Sequence, residues 1–263
     1  MVLHFDPVPG LLYRLYDRRL EQAIRQGPLP RHVGVILDGN RRFARERGLS
    51  TAAEGHRIGA EKIPQLLDWC AALEIRYVTL WLLSTDNLGR DAAELDELVQ
   101  IISDSVTNLI AQPERWPGLR ITAVGALDAV PDDLRTVLKR ATEQTADGQG
   151  LHVQIAVGYG GRQEIMDALR THLEDRAADG DTIQDVIANL DVDHISANLY
   201  TAGTPDPDLI IRTSGEIRLS GFLMWQSAHS EFYFCDPYWP EFRHIDFLRA
   251  LREFQQRTRR YGR

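Results

Sequence analysis

The chain has 263 residues, 43% hydrophobic and 26% charged, enough for one large globular domain with a sizeable core. Its formal net charge is −8 and its pI about 5.5, which argues against a general nucleic-acid binder, whose affinity comes mainly from neutralising phosphates. The two cysteines, Cys70 and Cys235, lie far apart without metal-ligand spacing, no apolar run reaches the ~18–20 residues that cross a bilayer, and no signal-peptide core opens the chain, so a cytoplasmic setting is expected.

Taken in chain order, "GLLYRLYDRRLEQAIRQG" reads as an amphipathic helix with Leu12, Tyr16, Leu20 and Ile24 on one side and Arg14 and Arg18 elsewhere. Such a helix packs on its own domain or lies on a membrane surface; the first is expected, with at most a peripheral contact at the inner face of the cell membrane. The segment 1–29 is expected to be a helical extension of a single domain spanning 1–263. "HVGVIL" (32–37) reads as a strand, followed by a helix over roughly 56–73. "YVTLWLL" (77–83) is a second strand and 91–111 a second helix, where Leu95, Leu98, Ile102, Val106 and Leu109 share a face and Asp91 and Glu94 suit the dipole at its start. Then come "LRITAV" (119–124), a helix over 132–146, "LHVQIAV" (151–157), a helix over 161–178, "DLIIR" (208–212) and a last helix near 245–260. The strands are almost continuously apolar, as strands covered on both faces are, so the pattern predicts an α/β fold with a parallel sheet. No repeat, low-complexity tract or long linker interrupts it. Ligands of such sheets bind at the carboxyl ends of the strands.

The chemistry-bearing stretches fall at those ends. In "LDGNRR", Asp38 follows the first strand directly, Gly39 lets a ligand approach the backbone, Asn40 can donate to an anion, and Arg41 and Arg42 can neutralise one. One carboxylate among phosphate-grade donors suits a magnesium–diphosphate complex; an Asp-Gly turn with a solvated basic face fits this stretch alone equally well. "RTSGEIRLSG" carries Arg212, Arg218 and Ser220 in a glycine-bearing loop, an anion clamp or a surface loop with ordinary ion pairs. Two such loops after two strand ends favour a site for two phosphorylated ligands. In "LLSTDNLGRD", Ser84, Thr85, Asp86 and Asn87 close a turn or line a site, and Arg90 adds a third cation. Glu231 is an isolated acid in "WQSAHSEFYF", either a second metal ligand or the partner of an arginine. "GYGGR" (158–162) could cradle a phosphate, but tight strand-to-helix packing is the expected role. There is no Walker A motif, no dinucleotide fingerprint and no D-D-x-x-D, the last excluding the all-helical class of prenyl synthase.

Together these stretches resemble the cis-prenyltransferase family, the undecaprenyl diphosphate synthase-like enzymes. "HVGVILDGNRRFA", "LSTDNLGR", "GYGGRQEI", "DLIIRTSGEIRLSGFLMWQSAHSEFYF" and "RRYG" match its signatures in order over roughly residues 30 to 262. The resemblance implies a mostly parallel sheet of about six strands, an apolar tunnel between the sheet and the helices near 56–73 and 91–111, and a Mg²⁺-dependent condensation of isopentenyl diphosphate with an allylic diphosphate that forms a cis double bond. It implies that Asp38 binds Mg²⁺ and assists diphosphate departure, with Glu231 completing the metal site. Gly39, Asn40, Arg41, Arg42 and His56 would hold the allylic diphosphate, and Arg212, Arg218 and Ser220 the isopentenyl diphosphate. Phe43, Ser84, Thr85, Asp86, Leu88, Arg90 and Leu219 fall in the same substrate-binding signatures. Asn87 stands where the family has its proton acceptor; a neutral amide is a poor base, so it is expected to orient groups while the released diphosphate takes the proton. Arg260 and Gly262 would reach the site of the second subunit of a homodimer.

Departures from the family pattern are Phe43 and Leu88 in place of tryptophans, Arg41 for a frequent glycine, Asp86 for glutamate, and no arginine before His56 in "GLSTAAEGH", a gap that Arg41 or Arg45 could fill. Leu82 stands where long-chain members often carry alanine. Overpacking an apolar channel costs about 1–3 kcal/mol, one to two decades in rate per extension, and Trp81 is expected to add bulk beside it. A short product is therefore expected, (2Z,6E)-farnesyl diphosphate from geranyl diphosphate. The rivals are a C50–C55 synthase, a non-catalytic partner subunit, against which the presence of Asp38, Arg212 and Arg218 argues, and an RNA- or phosphoprotein-binding module, against which the acidic pI argues.

Overall fold

The computed structural model describes residues 11–257. In chain order it runs α1 (Leu11–Ile24), β1 (His32–Ile36), α2 (Asn40–Glu46), α3 (Ala52–Ala72), β2 (Tyr77–Trp81), α4 (Ala92–Ile110), β3 (Arg120–Val124), α5 (Asp132–Gln144), β4 (His152–Ala156), α6 (Gly161–Ala178), α7 (Ile183–Asn189), α8 (Val192–Ala197), β5 (Leu209–Arg212), β6 (Glu231–Phe234) and α9 (His244–Gln256). The six strands form one sheet in the order β3-β4-β2-β1-β5-β6, every pair parallel. The predicted single α/β domain with a parallel sheet flanked by helices is what forms.

Strand alternation divides the core in two. Val33, Val35, Val78, Leu80, Val153, Ile155, Leu209 and Ile211 face one way, against apolar residues of α1, α3, α4, α5 and α9. Ile36, Val124, Ala156 and Ile210 face the other, against Phe222, Leu223 and Tyr159. β1 is buried along its whole length, and Gly34 allows that: a Cβ there would stand 3.1 Å from Phe222 and 3.3 Å from Leu223. On that second face one polar row crosses the sheet, His32 Nε2 to Thr79 Oγ1 (2.8 Å), Thr79 Oγ1 to Gln154 Oε1 (2.8 Å) and Gln154 Nε2 to Thr204 Oγ1 (3.0 Å).

The predicted helices form with shifted ends. α3 starts four residues early because Thr51 caps it, its side chain accepting from Glu54 N–H. α4 is capped by Asp91, and Leu98, Ile102, Val106 and Leu109 of its predicted stripe are buried. α1 packs on α9: Leu20 and Ile24 are buried and Gln255 Nε2 donates to Ile24 O at 2.7 Å, while Tyr16 is 44% exposed and the Leu12 side chain lies outside those described. Among the described residues no helix is long and apolar enough to cross a membrane. The short helices α7 and α8 form between α6 and β5, where the reading of the sequence has no element, and two further stretches differ from it. α2 forms where a turn was one option, so Arg41 and Arg42 stand on a helix, and the "EFYF" run that ends the Glu231 segment is the edge strand β6.

Candidate active site

β1 is the centre of the sheet, and the chain leaves it toward β2 on one side and receives β5 on the other. The crevice beyond the carboxyl ends of β1, β2 and β5 is where a parallel α/β sheet binds ligands. It holds a cavity of about 580 Å³ with two contrasting ends. The mouth is lined by Asp38, Asn40, Arg41, Arg42, His56, Arg90, Arg212, Glu216, Arg218 and Ser220; the interior by Ala60 and Ile63 of α3, Leu82 and Leu83 after β2, and Leu98, Ile101 and Ile102 of α4.

Asp38 is held through its own backbone by the Thr213 hydroxyl just past β5 and by Trp239. Its N–H donates to Thr213 Oγ1 (3.0 Å), and its carbonyl accepts from Thr213 Oγ1 (2.7 Å) and Trp239 N–H (2.9 Å). Oδ1 accepts from Gly39 N–H at 2.7 Å and Oδ2 from Arg212 Nη2 at 2.8 Å, with Arg42 Nη2 3.5 Å from Oδ1. Burial opposes its charge, but the Arg212 hydrogen bond, the charges of Arg212 and Arg42 and the Gly39 N–H outweigh it and hold the carboxyl below its ordinary value. Only glycine fits at 39: φ is 102°, and a Cβ would stand 2.6 Å from the Tyr238 ring and 2.9 Å from Ser214 Cβ.

The adjacent arginines of α2 diverge. Arg42 turns to the loop after β5, donating to Ser214 Oγ (2.6 Å) and Glu216 Oε1 (3.0 Å). Arg41 turns to α4, 3.5 Å from Glu94 Oε1, the oxygen that also accepts from Arg90 Nη1 at 3.0 Å. Arg45 does not line the cavity, so of the two candidates for the missing cation Arg41 alone reaches it. His56, one turn along α3, is kept neutral: burial first, then Arg90 and Arg41, lower its pKa from 6.5 to about 4. Arg212 is 4% exposed and donates through Nη1 to Ser220 Oγ (2.9 Å) and to the Arg218 carbonyl. Arg218 pairs with Glu216 and is otherwise open to the mouth. Ser214 and Ser220 adopt φ of 79° and 52°, sparsely populated for these residues, so the loop accepts strain to aim its groups.

Ser84 and Asn87 form a capping box on the 3-10 turn Thr85–Gly89: Ser84 Oγ accepts from Asn87 N–H (3.1 Å) and Asn87 Oδ1 from Ser84 N–H (3.4 Å). The turn-closing and site-lining roles are therefore both real, since Ser84, Asp86 and Asn87 line the cavity. Leu82 lines it too, half-buried against the α3–α4 core. Trp81 does not stand beside it. Successive residues point to opposite faces, and the Trp81 ring stacks on Phe222 on the far face, centroids 5.2 Å apart, although Trp81 is also among the residues that line the cavity.

Other expected members are not brought in. Phe43 is buried beneath Arg47, Leu88 packs on the α3–α4 core, Leu219 packs with Phe222, and Thr85, which binds Tyr159 O through its N–H, is absent from the lining. Glu231 opens β6 opposite Leu209, about 10 Å along the sheet from the strand ends. There its Oε2 accepts from Arg257 Nη1 at 2.8 Å. Of its two sequence readings the arginine pair is the one formed, and Asp38 and Glu231 of one chain do not share a metal site. Arg260 and Gly262 lie outside the described residues. Missed residues are Glu216, legible as an acid among arginines, Glu94, taken only as a dipole partner, and Trp239, which no local signal marks: its Nε1 donates to Gly59 O (2.7 Å) and locks α3 to the site.

The family model described as "Putative undecaprenyl diphosphate synthase" matches residues 36–262. A (2Z,6E)-farnesyl diphosphate synthase of Thermobifida fusca is 58% identical, covering 95% of this chain and 97% of its own length. A protein of the same name from Mycobacterium tuberculosis is 49% identical, covering 96% of each. The crystal structure of lavandulyl diphosphate synthase from Lavandula x intermedia, in complex with dimethylallyl diphosphate, superposes with a TM-score of 0.82 at 32% identity, over 89% of this chain and 99% of that one. With the cation-rimmed crevice in place and these likenesses running almost end to end, the chain belongs to the undecaprenyl diphosphate synthase family and is a cis-prenyltransferase.

Proposed function

We propose that the protein condenses isopentenyl diphosphate with geranyl diphosphate, giving (2Z,6E)-farnesyl diphosphate. The observation that carries the reading is a charged mouth opening directly onto an apolar cavity of about 580 Å³ whose wall includes Leu82. That volume is in the range of small-ligand pockets, about 300–1,000 Å³. The names of the two farnesyl diphosphate synthases above point the same way.

The barrier is charge separation at an allylic C–O bond. Arg42 and Arg41 would hold the leaving diphosphate, and Arg212, Arg218 and Ser220 the isopentenyl diphosphate. These groups are preorganised where charge develops, and the apolar wall keeps water from the cation. Asn87 commits its amide oxygen to Ser84 N–H, so its NH₂ can orient a ligand but the side chain is no base; the departing diphosphate takes the proton.

Asp38 fits one ligand of a magnesium ion. Each of its oxygens accepts one good hydrogen bond and keeps acceptor capacity, and its side chain is 30% exposed at the mouth. Among the described residues no three His, Cys, Asp or Glu side chains converge on a metal, so substrate oxygens and water would complete the sphere, as Mg²⁺ prefers. When bound, the ion would supply neutralisation of the leaving diphosphate.

The homodimer belongs to the same reading. Arg257 leaves α9 beside Glu231, at the end of the sheet away from the chain's own mouth. Arg260 and Gly262 would therefore serve a second copy. Radiolabelled isopentenyl diphosphate with geranyl diphosphate and Mg²⁺ should give one C15 product on reversed-phase analysis. A C50–C55 product would overturn the short-chain reading, and none in any primer would overturn the enzyme.

A further inference from the structure

Between α2 and α4 one carboxylate serves two guanidiniums. Glu94 Oε1 accepts from Arg90 Nη1 at 3.0 Å, an i,i+4 pair within the α4 entry, and stands 3.5 Å from Arg41 Nη1, which comes from α2. The two contacts are unequal. Arg90 is the tighter, with 17% of its side chain exposed; Arg41 is not hydrogen-bonded to Glu94 and is 57% exposed. Glu94 itself begins the stripe of α4 that continues through Leu98, Ile101 and Ile102 into the apolar cavity. It therefore stands at the mouth end of the helix whose next turns line the apolar cavity.

The charge at this corner is unbalanced. Two guanidiniums share one carboxylate, and the neighbouring His56 is neutral. Arg41 and Arg90 are close enough that, after burial, the charge of Arg41 is the main influence lowering the Arg90 pKa. An entering diphosphate brings several negative charges and oxygens spaced for guanidinium forks. It competes with Glu94 more readily for the exposed Arg41, at 3.5 Å, than for the half-buried Arg90, which Glu94 holds at 3.0 Å.

We propose that Glu94 is a positioning residue that parks Arg41 in the empty site and yields it to the allylic diphosphate. Arg41 is then a headgroup ligand and Arg90 the anchor that stays on Glu94. This rests on the cis-prenyl transfer reading for the identity of the ligand, but the exchange itself concerns any diphosphate. Its consequence is directional. Glu94 competes with the ligand, so neutralising it tightens binding, whereas a supporting residue would loosen binding when removed.

The test is calorimetric titration of inorganic diphosphate into the full chain in magnesium buffer, with thermal melts of each variant as a folding control. Glu94→Gln should lower the Kd about threefold, and Glu94→Asp should return it toward the wild-type value. Arg41→Met should raise it about tenfold. On the Arg41→Met background, Glu94→Gln should give little further tightening. The KM for geranyl diphosphate should move in the same direction in each variant. Weaker binding by Glu94→Gln, an unchanged Kd in Arg41→Met, or undiminished tightening in the double variant would each overturn the proposal. Failure of the functional reading is separate: the wild type would bind inorganic diphosphate and show the exchange, yet not join geranyl and isopentenyl diphosphates.

Discussion

Asp38 at the cavity mouth and Glu164 in the first turn of α6 are both carboxylates hemmed in by hydrogen bonds, yet their surroundings push them in opposite directions. Glu164 is fully buried among neutral donors: Tyr159 OH, Gln226 Nε2 at 3.0 and 3.1 Å, and the backbone N–H groups of Tyr200 and Thr201, with Gln226 passing on to Thr201 Oγ1 at 2.7 Å. Burial outweighs those bonds and raises its pKa. At Asp38 burial acts in the same sense but loses to Arg212 and Arg42, and the pKa falls. A carboxylate kept charged by cations at an opening is equipped to meet a metal and a diphosphate. One satisfied by neutral groups in a closed cluster ties α6 to the loops around Thr201 and Gln226.

The contrast breaks most sharply on Asp38→Asn. The amide keeps the shape and an acceptor for Arg212 but removes the charge, so kcat for label incorporation should fall about 10³-fold or more, the loss expected when a preorganised electrostatic group is removed. The melting temperature should stay within a few degrees. Condensation at the wild-type rate would remove Asp38 from the chemistry.

Glu164→Ala should show the converse. Leaving Tyr159 OH and one N–H of the Gln226 amide unpaired in a closed site costs about 2–4 kcal/mol, read as a lower urea midpoint, with kcat per folded molecule unchanged within about twofold. The pH dependence separates the two carboxylates by sign. Asp38, with a folded pKa below the ordinary 3.8, contributes stability above that pH and loses it as pH falls through its lower folded value. Glu164, with a folded pKa above 4.5, contributes below that pH and loses it as pH rises through its higher folded value. Across pH 3 to 8, Asp38→Asn should therefore lose ground against the wild type as pH rises, and Glu164→Gln should gain it.

The sequence was most legible where one local pattern carried both fold and chemistry. Asp38 could be seen because an apolar run ends on it, and Arg212 because it ends another. Glu164 could not, since an acid in the first turn of a helix reads as a dipole partner, and only the tertiary closure of Tyr159 and Gln226 over it makes it a buried cluster. β6 was hidden because a polar stretch precedes it and Glu231 opens it, so its four residues lack a strand's usual flanks. Trp81 lines the cavity as Leu82 does, but its ring turns to the other face: neighbours in a strand do not share a face, and the face is settled by what packs on each side. Arg41 and Arg45 were indistinguishable as sequence; the turn of α2 directs one to the mouth and not the other.

A smaller effect is expected inside the cavity. Leu82→Ala removes three heavy atoms from a half-buried wall, so the main product should lengthen by at least one C5 unit while the first condensation proceeds at close to the wild-type rate. An unchanged C15 product would move the length limit elsewhere on the wall, with Leu98, Ile101 and Ile102 of α4 the next side chains along it.

The smallest signal lies at His56 and needs no chemistry. In the ligand-free protein its ring should titrate near 4 instead of 6.5, because burial and the charges of Arg90 and Arg41 all favour the neutral form. His32 and His152 are also lowered to about 4, so the ring resonance must be assigned by its loss in His56→Asn. A folded pKa below the unfolded one means the unfolded chain takes up the proton first, and His56 therefore costs stability as pH falls from 6.5 toward 4. Inorganic diphosphate at the mouth would offset the two arginines, and its charge favours the imidazolium. The His56 midpoint should then rise on adding diphosphate while those of His32 and His152, on the sheet away from the mouth, stay where they are. A His56 midpoint unmoved by saturating diphosphate would place the anion away from the α3–α4 corner and leave the Arg42 and Arg212 side of the mouth as its seat.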